Sequence, residues 1–259
     1  MTDNFGTLGE PILVTGGTGT LGRKVVARLA VESAAVGGAG VRVLSRGRGR
    51  GSFVGDLTTG DGLRPALDGV TTVVHCATAP RAGDADVVAT RNLIAAIGGI
   101  GGAGQVRHLV YISIVGVDEH PYSYYRVKRE AETLIERSGV PYTILRTTQF
   151  HELIAMIAGT LARSPIVLLP TRTSFQPIAA SEVAERLVAL AAGPPAGRVP
   201  DMGGPRVRTC ADLMHAYLRG RPRLVASVPY PGRVAAAYRR GLHLTPAHAD
   251  GKITFEEAL

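Results

Sequence analysis

A chain of 259 residues with 45% hydrophobic and 19% charged side chains carries enough apolar content to bury a sizeable core, which excludes disorder as its overall state. Its 33 glycines and 5% aromatic residues point to a turn-rich α/β protein rather than an aromatic-rich β-sandwich. The excess of 29 basic over 21 acidic residues, formally +8, admits three kinds of anionic partner: nucleic acid, an acidic membrane surface or a phosphorylated small molecule.

The first residues, Met-Thr-Asp-Asn-Phe-Gly, have neither a basic stretch nor an apolar one, so they do not read as a signal peptide. No apolar run approaches the roughly 18 residues of a membrane span. A cytoplasmic protein without membrane association is therefore expected. Cys76 and Cys210 lack the CxxC spacing of a metal or redox site and read as reduced thiols.

In chain order, apolar runs rich in β-branched residues occupy positions 11–14, 41–44, 70–74, 109–112 and 142–145. Such continuous runs read as parallel strands buried on both faces, with crossovers long enough for helices. Between them, residues 21–32 put Leu21, Val25 and Leu29 on one helical face. Residues 127–138 do the same with Ala131, Leu134 and Ile135, and Gly139 follows as a C-cap. A third helix begins near Asp86, and the glycine-rich residues 98–104 read as a loose connection after it. Beyond about residue 147 the alternation weakens, leaving a helix over residues 181–192 with Ser181 as N-cap. The pattern predicts an α/β protein, a Rossmann-type doubly wound parallel sheet. It is read as a single domain over residues 1–259, with a core over 10–150 and a small substrate-side lobe over about 151–259.

The strongest motif is Val14-Thr-Gly-Gly-Thr-Gly-Thr-Leu-Gly22, a GxxGxxG series at Gly16, Gly19 and Gly22 placed between the first strand and the first helix. Gly16 permits the tight turn, Gly19 lets the backbone approach a pyrophosphate, and Gly22 allows close helix–sheet packing. Thr18, Thr20 and Leu21 share this loop, and the helix amides face the anion. At the tip of the second strand an NAD-selective site would carry an acid for the ribose 2′-hydroxyl, yet no acid lies between Glu32 and Asp56. Ser45 and Arg46 stand there, with Arg48 and Arg50 beyond. A guanidinium there can pair with a 2′-phosphate, so NADP (NADPH) is the expected cofactor. A solvated loop and a nucleic-acid-binding segment are competing readings of the same arginines, although no interleaved aromatic side chain offers base stacking.

The loop from Thr15 to Gly22, Gly55-Asp-Leu57, Val73-Val-His-Cys-Ala-Thr78, Tyr111-Ile-Ser-Ile-Val-Gly116, Tyr124-Tyr-Arg-Val-Lys128 and Gly139-Val-Pro-Tyr-Thr-Ile-Leu-Arg146 together resemble the atypical short-chain dehydrogenase/reductases. The last stretch, with Thr147-Thr-Gln-Phe-His151, is similar to their NmrA-like branch. The resemblance implies that Asp56 and Leu57 lie beside the adenine, that Ala77 and Thr78 line the cofactor, and that Thr147, Thr148, Gln149 and Phe150 lie near the nicotinamide. It makes Tyr124 the general acid/base, Lys128 its partner on the nicotinamide ribose, and Ser113 the hydrogen-bond donor to a substrate carbonyl. The i,i+4 spacing puts Tyr124 and Lys128 on one helical face, although Tyr125 is a rival for the same role. Ile114 and the short interval between Ser113 and Tyr124 depart from the family pattern.

Tyr125 and His151 are the candidates for the substrate side, and Leu153, Ile154, Met156 and Ile157 form an apolar stripe that is core or pocket wall. His75 reads as a satisfied core residue. No histidine or carboxylate spacing suggests a metal. The expected activity is hydride transfer between NADP(H) and a carbonyl-type group of a small apolar molecule. A non-catalytic NADP(H) sensor and an epimerase or dehydratase stay open as alternatives, and direct nucleic-acid binding is disfavoured. Oligomeric state is not legible.

Overall fold

The computed structural model describes residues 8–47, 52–80, 82–99 and 106–259. In chain order the elements are β1 (Ile12–Thr15), α1 (Thr20–Ala35), β2 (Val41–Ser45), β3 (Ser52–Val54), α2 (Leu63–Leu67), β4 (Thr72–His75), α3 (Ala85–Gly98), β5 (His108–Ile114), α4 (Ser123–Glu136) and β6 (Tyr142–Thr147). They continue with α5 (His151–Leu161), β7 (Ile166–Pro170), β8 (Ser174–Phe175), α6 (Ala180–Ala192), β9 (Gly197–Arg198), β10 (Arg208–Thr209), α7 (Cys210–Leu218), β11 (Leu224–Val228) and α8 (Arg233–Arg239). The chain groups into two compact units: residues 1–113, 127–145 and 183–199 in the first, and residues 114–126, 146–182 and 200–259 in the second.

The first unit is built on a seven-stranded sheet in the order β3-β2-β1-β4-β5-β6-β9. β1 pairs parallel with both β2 and β4, so the strand order reverses direction at β1. In doubly wound sheets the crevice beyond the strand ends at such a switch point is where ligands bind. Apolar β-branched runs give the sheet its interior: Leu13, Val73, Leu109 and Ile144 are buried together with Leu93 and Ile97 of α3 and Ala131 and Ile135 of α4. α1 buries Leu21, Val25 and Leu29, the face expected from their spacing.

The second unit contains an antiparallel pair, β8 with β10, and a parallel pair, β7 with β11. Ala158, Ala162, Val167, Leu169, Met214 and Leu218 form one of its cores. Gln176 is fully buried and joins three backbone groups: its amide nitrogen donates to the carbonyls of Gly204 (2.8 Å) and Thr245 (3.2 Å), and its oxygen accepts from the Thr245 amide (2.9 Å).

Two expectations from the sequence are corrected. Ser181 lies inside α6, which starts at Ala180, so it is not the N-cap. The chain after residue 147 is also richer in strands than its pattern suggests. Two-residue strands are too short to show alternation, and the run at β7 is half exposed rather than buried throughout. Of the glycine-rich connection, Gly98 ends α3, whereas residues 100–104 lie outside the described residues.

Candidate functional site

The glycine loop bridges β1 and α1 at the switch point. Gly16 has φ +67°, and a Cβ there would lie 2.6 Å from the backbone of Ala77. A Cβ on Gly22 would lie 2.1 Å from the Gly16 carbonyl oxygen, so only glycine allows the turn to fold onto the helix. The Gly19 amide donates to the Gly16 carbonyl at 3.0 Å, and Gly19 caps α1 without any side-chain bond. Thr18, Gly19 and Thr20 are exposed, while Leu21 and Gly22 are buried. An uncapped sixteen-residue helix opening beside exposed glycine backbone fits a pyrophosphate, because first-turn amides have no partner within the helix.

Ser45 ends β2, and Arg46 follows it exposed. The Ser45 carbonyl accepts from the Gly55 amide at 3.0 Å, which fixes this strand tip against the segment leading to Asp56. Arg48 and Arg50 lie outside the described residues. Asp56 is engaged locally: its carboxylate accepts from the Thr58 amide at 2.7 Å and its own amide donates to the Asp61 carbonyl. Leu57 packs against the main core, and its carbonyl accepts from Asn92 at 2.8 Å.

Behind the ends of β4 and β5 lies a buried polar chain. Thr90 donates its hydroxyl to the Asp86 carbonyl at 2.7 Å, so His75 must present Nε2–H to Thr90 and accept from Thr15 at Nδ1 (2.6 Å). Burial holds that neutral imidazole down at about 3, with the Lys128 charge adding to the effect. The Asp86 carboxylate accepts from the Thr78 hydroxyl and the Ala79 amide, each at 2.6 Å. Ala77 is half-buried and Thr78 exposed at the mouth of this turn.

Lys128 reaches the same place from α4. Its ammonium is only 2% exposed, donates to the Ile112 carbonyl at 2.9 Å, stands 4.0 Å from Asp86 and lies 4.2 Å from the centre of the Tyr111 ring. Burial pulls its pKa down to about 8, against the opposing pull of Asp86, Glu132 and Cys76. The Cys76 thiol is pushed up to about 12 by burial and is inert in this setting. Ser113 is 1% exposed, and its hydroxyl has no hydrogen-bond partner among the described residues. A buried hydroxyl without a partner is uncommon in proteins and suits a bound ligand oxygen. Asp86 was not picked out as a site residue from sequence, although it is the only acid of α3 and lies in that helix's first turn.

In the second unit, Tyr124 is half-buried and Tyr125 is 4% exposed. Tyr125 stacks on His120 with 4.1 Å between ring centres and interacts with Tyr238 and Gln149. Burial raises its phenol well above the ordinary tyrosine range. The two adjacent tyrosines therefore differ in setting, and Tyr125 is part of a cluster with His120, Tyr238 and His243 that sequence reading missed. These residues are far apart in the chain and share no motif.

Thr147 is buried, and its carbonyl accepts from the Val115 amide. Thr148 donates to the Gln176 carbonyl at 2.5 Å. Gln149 holds Ile178 through its backbone carbonyl, while its side-chain oxygen has no partner among the described residues. Phe150 is the residue before α5. His151 is 3% exposed and bonds the Ile253 carbonyl through Nε2 at 3.0 Å; burial lowers its pKa. The stripe on α5 divides: Ile154 is buried, whereas Leu153, Met156 and Ile157 are exposed.

A glycine turn at a sheet switch point, with a buried lysine behind the neighbouring strand ends, defines a dinucleotide-binding protein of the Rossmann class. The chain belongs to the NAD(P)H-binding family, whose model matches residues 16–193. It is 34% identical over 164 residues to a (4-alkanoyl-5-oxo-2,5-dihydrofuran-3-yl)methyl phosphate reductase of Streptomyces griseus, a match covering 60% of this chain and 51% of that protein. It is 30% identical over 157 residues to the photosystem II assembly factor Ycf39 of Trieres chinensis, covering 54% of this chain and 46% of that one. The chain thus spans about half the length of these curated relatives. Among solved structures it is similar in fold to an NADPH-dependent quinone oxidoreductase from Escherichia coli complexed with NADPH (TM-score 0.78, 18% identity, 95% of this chain and 98% of that one). It also matches a nucleoside-diphosphate-sugar epimerase from Staphylococcus aureus (TM-score 0.74, 17% identity, 96% and 99%). Among the described residues no helix is long and apolar enough to cross a membrane.

Proposed function

We propose that the chain is an NADP-dependent oxidoreductase that transfers hydride to or from a carbonyl-type carbon of a small apolar molecule. The observation that carries this reading is Lys128, a buried cation with a lowered pKa one helical turn after Tyr124. The nicotinamide supplies or accepts hydride when bound. Tyr124 donates a proton from its phenol to the substrate oxygen in the reductive direction and takes it back in the oxidative one. The Lys128 ammonium favours the phenolate form of Tyr124 and offers a donor to a ribose hydroxyl. Ser113 donates its hydroxyl to the substrate oxygen and so polarises the carbonyl. Arg46 pairs with the 2′-phosphate, which sets the preference for NADPH over NADH.

Titration calorimetry with both dinucleotides tests the cofactor assignment. NADPH is expected to bind at least tenfold more tightly than NADH, and Arg46→Ala to erase most of that difference. Equal affinities in the wild-type protein would remove the assignment. For the chemistry, NADPH oxidation is followed with a panel of carbonyl compounds and quinones, and Tyr124→Phe is expected to lower turnover at least a hundredfold. Unchanged turnover in the variant would sink the tyrosine's role.

A second reading is a non-catalytic NADP(H)-binding protein acting on partners. It is favoured by a relative that carries the name of an assembly factor. Tight NADPH binding with no hydride transfer across the panel is the result that selects it.

A further inference from the structure

The parallel pair of β7 and β11 is covered on one face only. Ile166 pairs with Leu224 and Leu168 with Ala226, so these four side chains share one face, while Val167, Leu169 and Val225 turn to the other and pack with Met214 and Leu218. The outward face is apolar and open: Ile166 is 50% exposed, Leu168 47% and Leu224 63%. Parallel pairs ordinarily have both faces covered, and exposed strand positions are ordinarily polar. The pair is only two strands wide among the described residues, so its outer edges have no strand beside them.

The same two segments hold the charge excess of the chain. Residues 153–181 and 213–249 contain eight arginines, no lysine and no acid; the other 21 basic residues match the 21 acidic ones. Because β7 and β11 are parallel, their entering ends lie together, preceded by Arg163 on one strand and by Arg219, Arg221 and Arg223 on the other. Arg172 and Arg233 follow the leaving ends, and Arg239 donates to the Tyr230 carbonyl at 2.7 Å. All of these are exposed, and none pairs with a carboxylate among the described residues. Arg223 is held by the Ala162 carbonyl at 3.0 Å and Arg221 by the Tyr217 carbonyl at 3.0 Å, so both are ordered before any partner arrives.

We propose that this face docks an acidic protein whose contact segment alternates apolar and carboxylate side chains. Arginine without lysine, flanking both ends of a strand pair that exposes Ile and Leu, is the composition of protein interfaces. An anionic bilayer would be met by lysines as readily, with Trp or Phe anchors that this face lacks. Nucleic acid gives the exposed Ile and Leu nothing to contact. A second copy joined through the same face would set arginine against arginine.

The test uses the full chain and a fluorescein-labelled twelve-residue peptide of alternating Leu and Glu, read by fluorescence anisotropy at pH 7.5. Binding is expected to weaken at least tenfold in the Leu168→Ser, Leu224→Ser double variant. Arg221→Ala with Arg223→Ala is expected to weaken binding and flatten its salt dependence. All variants should keep the wild-type far-ultraviolet circular dichroism spectrum and urea midpoint, which report an intact fold. The proposal is overturned if the peptide does not bind, if the variants bind it like the wild type, or if the Leu-Lys counterpart binds equally. It is also overturned if phosphatidylglycerol vesicles or duplex DNA bind more tightly than the peptide.

Discussion

Replacing Lys128 by methionine is expected to stabilise the fold at pH 7 by about 2 kcal/mol while weakening NADPH binding at least tenfold. Burial lowers this lysine from 10.5 to about 8, so the folded protein holds the charged form at a penalty of about 3 kcal/mol. Methionine fills a similar volume without the charge and forfeits the hydrogen bond to the Ile112 carbonyl, worth about 1 kcal/mol. The pH dependence supplies a signature. Between pH 8 and 10.5 the unfolded chain binds more protons at this site than the folded one, so wild-type stability rises with pH across that window. The methionine variant should lack this rise. Urea unfolding at several pH values reads both effects; a variant less stable than wild type at pH 7 would make Lys128 a structural tie rather than a functional cation.

Acid should unfold the protein steeply, starting near pH 6.5. His75 is held near 3, His108 near 4 and His243 near 4, in each case chiefly because burial disfavours the charged ring. All three are at most 2% exposed. Their folded-state values lie below the unfolded value of 6.5, so their stabilising contribution is complete above pH 6.5 and is lost as pH falls toward 4. With three such sites the loss approaches about 3–4 kcal/mol per pH unit near pH 5. His108 contacts the Thr143 hydroxyl at 2.8 Å, so His108→Gln keeps a polar partner there while removing one titrating ring. The variant should reduce the slope by about a third. A wild-type urea midpoint that stays flat from pH 6.5 to 4.5 would contradict the assignment.

The parts of the fold that were legible in the sequence are those where local pattern and global role coincide. The five apolar runs became strands of the central sheet, and the spacing of Leu21, Val25 and Leu29 became the buried face of α1. The glycine loop carried its own context, since strand, turn and helix are contiguous. The short β3 is half exposed and adjoins residues outside the described set, so it left no periodic signal. Asp86 was unreadable as a site residue because its importance lies in what reaches it, Thr78, Ala79 and Lys128, from two other stretches of chain. Likewise, adjacent tyrosines look alike in sequence, and only the aromatic partners of Tyr125 separate it from Tyr124. The C-terminal arginines were countable from the start, but their meaning depends on the parallel pairing that gathers them at two strand ends.

The bonds of Gln176 also bear on the order in which the protein is made. Strand β9, the last of the central sheet, ends at Arg198, so the first compact unit has all its segments once residue 199 has left the ribosome. The second unit cannot close so early. Gln176 waits for the Thr245 amide and carbonyl, and Glu182 waits for the Lys252 amide. A nascent chain therefore exposes the apolar residues of the second unit while the dinucleotide fold is already complete, a window in which chaperone contact and aggregation compete.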